Sequence, residues 1–509
     1  MVLPGLLCGL GLLCPGQGGG GVSASVAATC KTLGTLYPAE VLLPNTKSYE
    51  TETTAHWASN AILPPGCILT PSTPKIASTM LHHLTTTSTP FSIRSGGHSN
   101  NPSFSSIQNG ILLSLSSLRR ITLSPETNTV LLDSGLRWGE VYSHLSPLGF
   151  TVAGGRAESV GVGGLSLGGG ISFYAYTVGF GCDNIVGYLV LLPSSEIKEV
   201  TATSDPELFR ALKGSGGRFL VVLAFRYRLI QIDDQAEGKV WGGMTYSTGL
   251  SIPGVLRETA RFNAAGPVDE DSHLISTVGM VAGVVDIALT ITVHTKLPGK
   301  GETPEVFKPF RKAQGLGTTT SALLGIPAKK LGPARIEEIS DGQSPDFVYG
   351  KRQIMKQLTV SNPDEEYLSE CVKVMKKEFF GLSAGKGAMV TLSFIPLGKV
   401  ISKGRKQNVM GIENRDRLMS VHFNVIWDKE RIDEEVYEAV DKAIGRLVEE
   451  AKGRGIWERW VYMNYAMFDQ DVIASYGEEE RGFLRGVERR VDPDGVWKRL
   501  VKGGFKISE

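Results

Sequence analysis

The sequence predicts an α+β protein of two domains, and three observations carry that reading. From residue 68 to 240 short apolar runs alternate with tight turns and short helical patterns, whereas from about 240 to 455 the turns thin out and longer charged helices take over. Glycine supplies 61 of 509 residues, about 12% against a usual ~7%. A dense glycine cluster runs from Gly154 to Gly217, so one stretch of the first domain must let backbone pass close to another group.

Cys67-Ile-Leu-Thr-Pro71 reads as a strand, Ile76 to Leu84 as a helix, and Phe91-Ser-Ile-Arg94 as a strand entering a Gly-Gly turn. Ile111 to Leu115 is a strand, Ile121 to Leu132 a hairpin folded at Ser124-Pro-Glu-Thr-Asn128, and Trp138 to Leu148 a helix. Val186 to Leu192 and Phe219 to Leu229 are further strands. In the second domain Ile432, Val436, Tyr437, Val440, Ile444, Leu447, Val448 and Ala451 recur at spacings of three and four, the pattern of an amphipathic helix. No fixed-period repeat is present.

Lys plus Arg (53) nearly balance Asp plus Glu (52), so no basic surplus points to nucleic acid. With 41% hydrophobic residues, the chain can form cores that offset chain entropy, which argues against disorder. Residues 1–28 read as a signal peptide, with an apolar run from Leu3 to Cys14 followed by small residues at Val22-Ser-Ala24 and Val26-Ala-Ala28 that suit signal peptidase. Against it stand the missing Lys or Arg before the run and the absence of an Asn-x-Ser/Thr sequon. The run is too short to span a bilayer, and no later one is long enough. Beyond the leader, Cys30, Cys67, Cys182 and Cys371 show no metal-ligand spacing. If the chain is secreted, Cys30 and Cys67 can bridge the N-terminal arm to the first domain.

Three short motifs nearly fit the glycine cluster. A Walker loop needs Lys where Gly169 stands, and a dinucleotide Gly-x-Gly-x-x-Gly needs Gly or Ala at Ser166. Gly164-Leu-Ser-Leu-Gly168 spells a nucleophile elbow, with His422 and Asp428 as conceivable partners of a serine hydrolase, but no buried apolar strand precedes it.

A larger constellation covers the chain from about 30 to 505. Ile93-Arg-Ser-Gly-Gly-His-Ser99, Gly154-Gly-Arg156, Ser159-Val-Gly-Val-Gly-Gly164, Leu167-Gly-Gly-Gly170, Gly179-Phe-Gly-Cys-Asp-Asn184, Asp205 to Gly214 and Tyr462-Met-Asn-Tyr465 follow in order, with Val491-Asp-Pro-Asp-Gly-Val-Trp497 at the end. Together they resemble the berberine-bridge-enzyme-like FAD-linked oxidoreductases of the vanillyl-alcohol-oxidase and p-cresol-methylhydroxylase (PCMH) superfamily, in their fungal form.

The resemblance implies a two-domain PCMH-type fold. Residues 60–240, completed by 456–509, would bind FAD, and 241–455 would lay an antiparallel sheet covered by helices over the flavin. It implies cofactor contacts from Arg94, Ser95, Gly96, Gly97, His98 and Ser99, from Val160, Gly161, Gly163, Gly164 and Gly168, and from Asn184 and Asn464. Consecutive N–H groups in the Arg94 to Ser99 turn suit a diphosphate without extra Lys or Arg. In the family this histidine bonds the flavin 8α-methyl, which falls here on His98. Ala157 occupies the position of the family's second, cysteinyl link, so a single tether is implied. Val160 matches the small aliphatic residue associated with oxygen access, which favours an oxidase. The first tyrosine of the last motif, Tyr462, is implied as catalytic base. A phenol titrates near 10, so such a base needs a nearby cation or donor.

This sequence departs from the family at Asn100, at Thr177-Val178, and at Gly216-Gly-Arg-Phe-Leu-Val-Val-Leu223, where Leu220 replaces a glycine and Leu223 a hydroxyl residue. The implied function is FAD-dependent oxidation of a small-molecule alcohol, amine or activated C–H centre, with electrons passed to O2, in a secreted protein of fungal secondary metabolism. No nucleic acid, membrane span, metal or obligate protein partner is indicated. A hydrolase using Ser166 and a flavin-binding protein with impaired turnover are the rival readings.

Overall fold

A computed structural model describes residues 23–232, 237–264, 269–283, 285–314, 331–341, 343, 348–398, 407–412 and 417–507. Strands β1 (Val41–Leu42), β2 (Cys67–Leu69), β3 (Phe91–Arg94) and β4 (Ile111–Ser114) make a sheet in the order β1-β2-β4-β3. Strands β2 and β3 each pair in parallel with β4, so the chain must cross over from β2 to β3, and the helix Pro74–Thr86 makes that crossover. Pro74 takes the first helical position, Thr73 accepts a bond from the Ile76 N–H, and Ala77, Met80, Leu81 and Leu84 form the buried face.

The second sheet, in the order β5-β6-β10-β8-β9, contains β5 (Ile121–Ser124), β6 (Thr129–Asp133), β8 (Ile185–Leu191), β9 (Ile197–Thr201) and β10 (Val221–Arg228). Two short strands, β7 (Phe150–Thr151) and β11 (Ile230–Gln231), pair beside it. The β5–β6 hairpin turns where expected, at Asn128 with φ 53°. The helix expected to reach Leu148 ends at Leu145 and tightens into a 3-10 turn over Ser146–Leu148, because Pro147 cannot donate the next helical bond.

The N-terminal arm crosses the boundary expected at residue 28. A helix runs over Ala24–Leu36, its first turn capped by Ser23, and buries Val26, Cys30 and Leu33 against Met80, Leu81 and Leu84 of the crossover helix. A leader reaching residue 28 would take Val26 out of that core. Cys30 and Cys67 form a disulfide across a Cα separation of 5.9 Å.

The third sheet is antiparallel and has eight strands in the order β15-β12-β14-β13-β17-β18-β16-β19. They are β12 (Val240–Thr248), β13 (Ser272–Val281), β14 (Val285–His294), β15 (Gly332–Ala334), β16 (Arg352–Ser361), β17 (Met389–Pro396), β18 (Leu418–Trp427) and β19 (Trp457–Glu458). Alternation assigns its faces. Val421, Phe423 and Val425 of β18 pack with the helices Ile252–Ala264, Glu365–Lys386 and Asp433–Gly453, the last being the amphipathic helix of the sequence pattern. His422, Asn424 and Ile426 point the other way, into a cavity between this sheet and the first two.

Candidate functional site

The cavity is built around a meeting of two turns. A Cβ on Gly96, in the turn after β3, would lie 2.4 Å from the Gly161 Cα, so only two glycines allow the turns to pass. Ser95 fixes the contact. Its hydroxyl accepts from the Gly163 N–H at 3.2 Å and donates to the Ser134 carbonyl at 2.5 Å. Gly164, on the cavity wall, has no protein atom within 4 Å of a built Cβ. Gly96→Ala should therefore cost roughly 3 kcal/mol or more through overpacking. Gly164→Ala should leave the unfolding temperature of the cofactor-free chain unchanged while impairing cofactor uptake. Thermal unfolding with and without added cofactor reads both effects.

His98 projects from the first turn, its ring stacked on Trp57 with centroids 4.4 Å apart. Its Nε2 lies 3.1 Å from the Ser159 hydroxyl. Burial, with the Arg137 charge adding to it, pushes the imidazole down to about 3, so the ring is neutral at ordinary pH and keeps a lone pair for bonding or ligation.

Ser95, Gly96, Gly97, His98, Ser99, Val160, Gly161, Gly163, Gly164, Tyr462 and Asn464 all line this cavity, of about 990 Å³. Three residues implied as cofactor contacts do not. Arg94 is a buried strut that pairs with Glu52 and sets Nη1 3.2 Å from His56 Nδ1. Burial raises the Glu52 carboxyl, but the Arg94 charge and the Ser114 and Ser116 hydroxyls together hold it below its ordinary value. Gly168 makes room for a side chain instead, since a Cβ there would meet Asn464 Oδ1 at 2.0 Å. Asn184 turns its amide onto the carbonyls of Val178 and Phe180, at 3.0 and 2.9 Å.

The tyrosines separate by their partners. Tyr462 is buried, and its hydroxyl accepts from the Ile171 N–H at 3.1 Å and from Asn464 Nδ2 at 3.0 Å. Burial raises its pKa first, and among the described residues no cation bonds its oxygen. Three residues on, past the 3-10 turn Met463–Tyr465, Tyr465 is half-buried in the cavity wall and its hydroxyl accepts from Arg156 Nη2. The other Arg156 terminus lies 2.9 Å from His273 Nε2. Tyr465 stacks on His422 with centroids 4.3 Å apart. Burial, then the Arg156 charge, pushes His422 down to about 3 and His273 well below its ordinary value. The set of cation, phenol and neutral imidazole is therefore Arg156, Tyr465 and His422, and it is Tyr465, not Tyr462, whose hydroxyl meets the guanidinium.

These imidazoles make stability acid-sensitive. Each is protonated in the unfolded chain below about 6.5 but stays neutral when folded, so stability is complete above that pH and falls as pH drops toward 3. For His422 the loss at pH 5 is about 2 kcal/mol. Unfolding midpoints measured between pH 6.5 and 5 should drop steeply for the native chain and less steeply for His422→Gln.

The hydrolase reading is overturned. Ser166 is fully buried inside the turn of helix Val162–Leu167, bonded to the Val162 carbonyl at 2.5 Å and to the Tyr227 hydroxyl at 2.6 Å. Asp428 pairs at the surface with Lys351, at 2.5 Å. The departures at Leu220 and Leu223 are absorbed differently. Leu223 is core, packed with Phe91 and Leu191, while Leu220 is buried on the cavity wall.

The residues present fit FAD. The N–H groups of Gly96 and Gly97 have no backbone acceptor among the described residues, Gly164 leaves an open cradle, and His98 stands neutral at its edge. No helix among the described residues is long and apolar enough to cross a membrane.

Comparison with known proteins gives one consistent picture. Residues 65–201 match the FAD binding domain family. The chain is 32% identical over 494 residues, 94% of its length and 98% of the relative's, to the FAD-dependent monooxygenase sdcF of Emericella nidulans. In structure it resembles BBE-like 1 of Physcomitrella patens, with a TM-score of 0.75 at 15% identity, covering 94% of this chain and 99% of that one. It also resembles the glucooligosaccharide oxidase of Acremonium strictum, described with a 6-S-cysteinyl, 8α-N1-histidyl FAD, with a TM-score of 0.72 at 16% identity over 92% and 97% of the two chains.

Proposed function

Because the chain belongs to the fungal-type, berberine-bridge-enzyme-like FAD-linked oxidoreductases, we propose that its cavity oxidises a small-molecule alcohol, amine or activated C–H centre of secondary metabolism. FAD, when bound, supplies the hydride acceptor and hands the electrons on to O2. His98 would hold it by one covalent link, since Ala157 removes the second, and Val160 beside the Gly161 turn leaves room for oxygen.

The observation that carries the reading is the hydrogen bond from Arg156 to the Tyr465 hydroxyl. A phenolate at that oxygen is stabilised by the guanidinium it already touches, so Tyr465 can take the substrate's hydroxyl proton. His422, neutral and with its Nδ1 unpartnered among the described residues, can orient the substrate oxygen. His273 fixes the far side of the guanidinium, and Tyr462 with Asn464 braces the loop that carries Tyr465.

An absorbance band near 450 nm in the purified protein, bleached anaerobically by alcohol substrates, tests this function. A protein without that band would sink it. Arg156→Gln should retain the band yet slow bleaching by at least about tenfold, read by stopped-flow absorbance. A secreted location fits the apolar leader and the Cys30–Cys67 disulfide, and fractionation of expressing cells checks it.

A further inference from the structure

The face of the eight-stranded sheet that lines the cavity is divided by polarity along one direction. Thr277 of β13 sits opposite Ser393 of β17, and Ser393 opposite His422 of β18, so a polar rung crosses three neighbouring strands and ends under Tyr465. Toward the other edge the same rung turns aliphatic. Thr277 faces Leu289 of β14, which faces Tyr246 of β12. The adjacent rung is apolar over the same three strands, with Ile275 opposite Ile291 and Ile291 opposite Met244. All of these line the cavity.

The hydroxyls beside the apolar half and the Arg156 guanidinium are taken, whereas Asn424 Oδ1 and His422 Nδ1, on β18, have no partner among the described residues. The Thr277 and Ser393 hydroxyls bond each other at 2.9 Å, and both Arg156 termini are engaged. Tyr246 turns its hydroxyl onto Met244 Sδ at 2.9 Å instead of into the cavity. A sugar laid over Leu289, Ile291 and Met244 would bury hydroxyls without partners, at about 1–3 kcal/mol each. A hydrocarbon would gain there instead.

We infer that the substrate is amphipathic, with one oxidisable hydroxyl held at Tyr465 and His422 and a hydrocarbon body lying over β13, β14 and β12. With strands ~4.8 Å apart, two spacings give that body a length of about 10 Å. This deepens the functional reading above and rests on its placement of Tyr465.

The test uses the flavin-loaded Tyr465→Phe protein, which should bind without turning over. Allylic alcohols of increasing length, from hexenol to dodecenol, and the disaccharide xylobiose are titrated by calorimetry. Affinity should rise about fourfold per methylene, the equivalent of ~0.8 kcal/mol, until the chain outgrows the aliphatic half. Leu289→Asn should cost decenol at least about tenfold while moving hexenol little, and Ile291→Thr, a gentler change of shape, should do the same more weakly. Affinities flat with chain length, or xylobiose binding more tightly than decenol, would overturn the inference while leaving the flavin reading intact. Failure to load flavin at all would overturn that reading first.

Discussion

Tyr465→Phe is expected to slow flavin reduction by about 10²–10⁴-fold, the range associated with losing a positioned base, while the bound flavin and the fold remain. The lost hydroxyl is the one on Arg156, and the remaining ring can still stack on His422. Tyr462→Phe should behave oppositely. Its hydroxyl satisfies the Ile171 N–H and the Asn464 amide, so its removal leaves buried donors unpaired, costing about 1–3 kcal/mol of stability, with a much smaller change in reduction rate. Rapid mixing with substrate under anaerobic conditions, set beside thermal unfolding of both variants, reads the contrast. A Tyr465→Phe protein that reduces flavin at the native rate would return the base to Tyr462.

Replacing His98 by Ala has the second large effect. The native protein should stay yellow through acid precipitation or urea, as a cofactor bonded to the chain at His98 requires. The His98→Ala protein should release all of its flavin into the supernatant. Trp57 would lose the ring it stacks on, which also loosens the wall beside Gly97, whose carbonyl accepts from the Trp57 N–H at 2.9 Å. Flavin washing out of the native protein would show that His98 is only a wall residue.

Much of the architecture was legible because its signals are local. The Asp433–Gly453 helix followed from apolar spacings of three and four, and the β5–β6 hairpin from Ser124-Pro-Glu-Thr-Asn128. The glycine cluster was legible as a constraint but not in its cause. Gly96 and Gly161 clear each other and Gly168 clears Asn464, contacts between segments far apart in sequence that no local pattern records. The choice between Tyr462 and Tyr465 was equally hidden, because a 3-10 turn decides which phenol meets Arg156. His422 left a signal that could have been used. It is a polar residue on the alternate face of a strand whose other face, Val421, Phe423 and Val425, is purely apolar.

The contact of Gly96 with Gly161 also bears on how the protein is made. The cavity wall draws on Trp57 and His98 near the start of the chain, Gly164 in the middle, and His422, Tyr465 and Phe505 close to its end. A ribosome-bound chain lacking its last third has the two turns but only part of the sheet that faces them, without His422, Tyr465 or Phe505. Cofactor capture is then expected only after the C-terminal segment has docked, so that yellow colour in a preparation would mark molecules whose cavity wall is assembled.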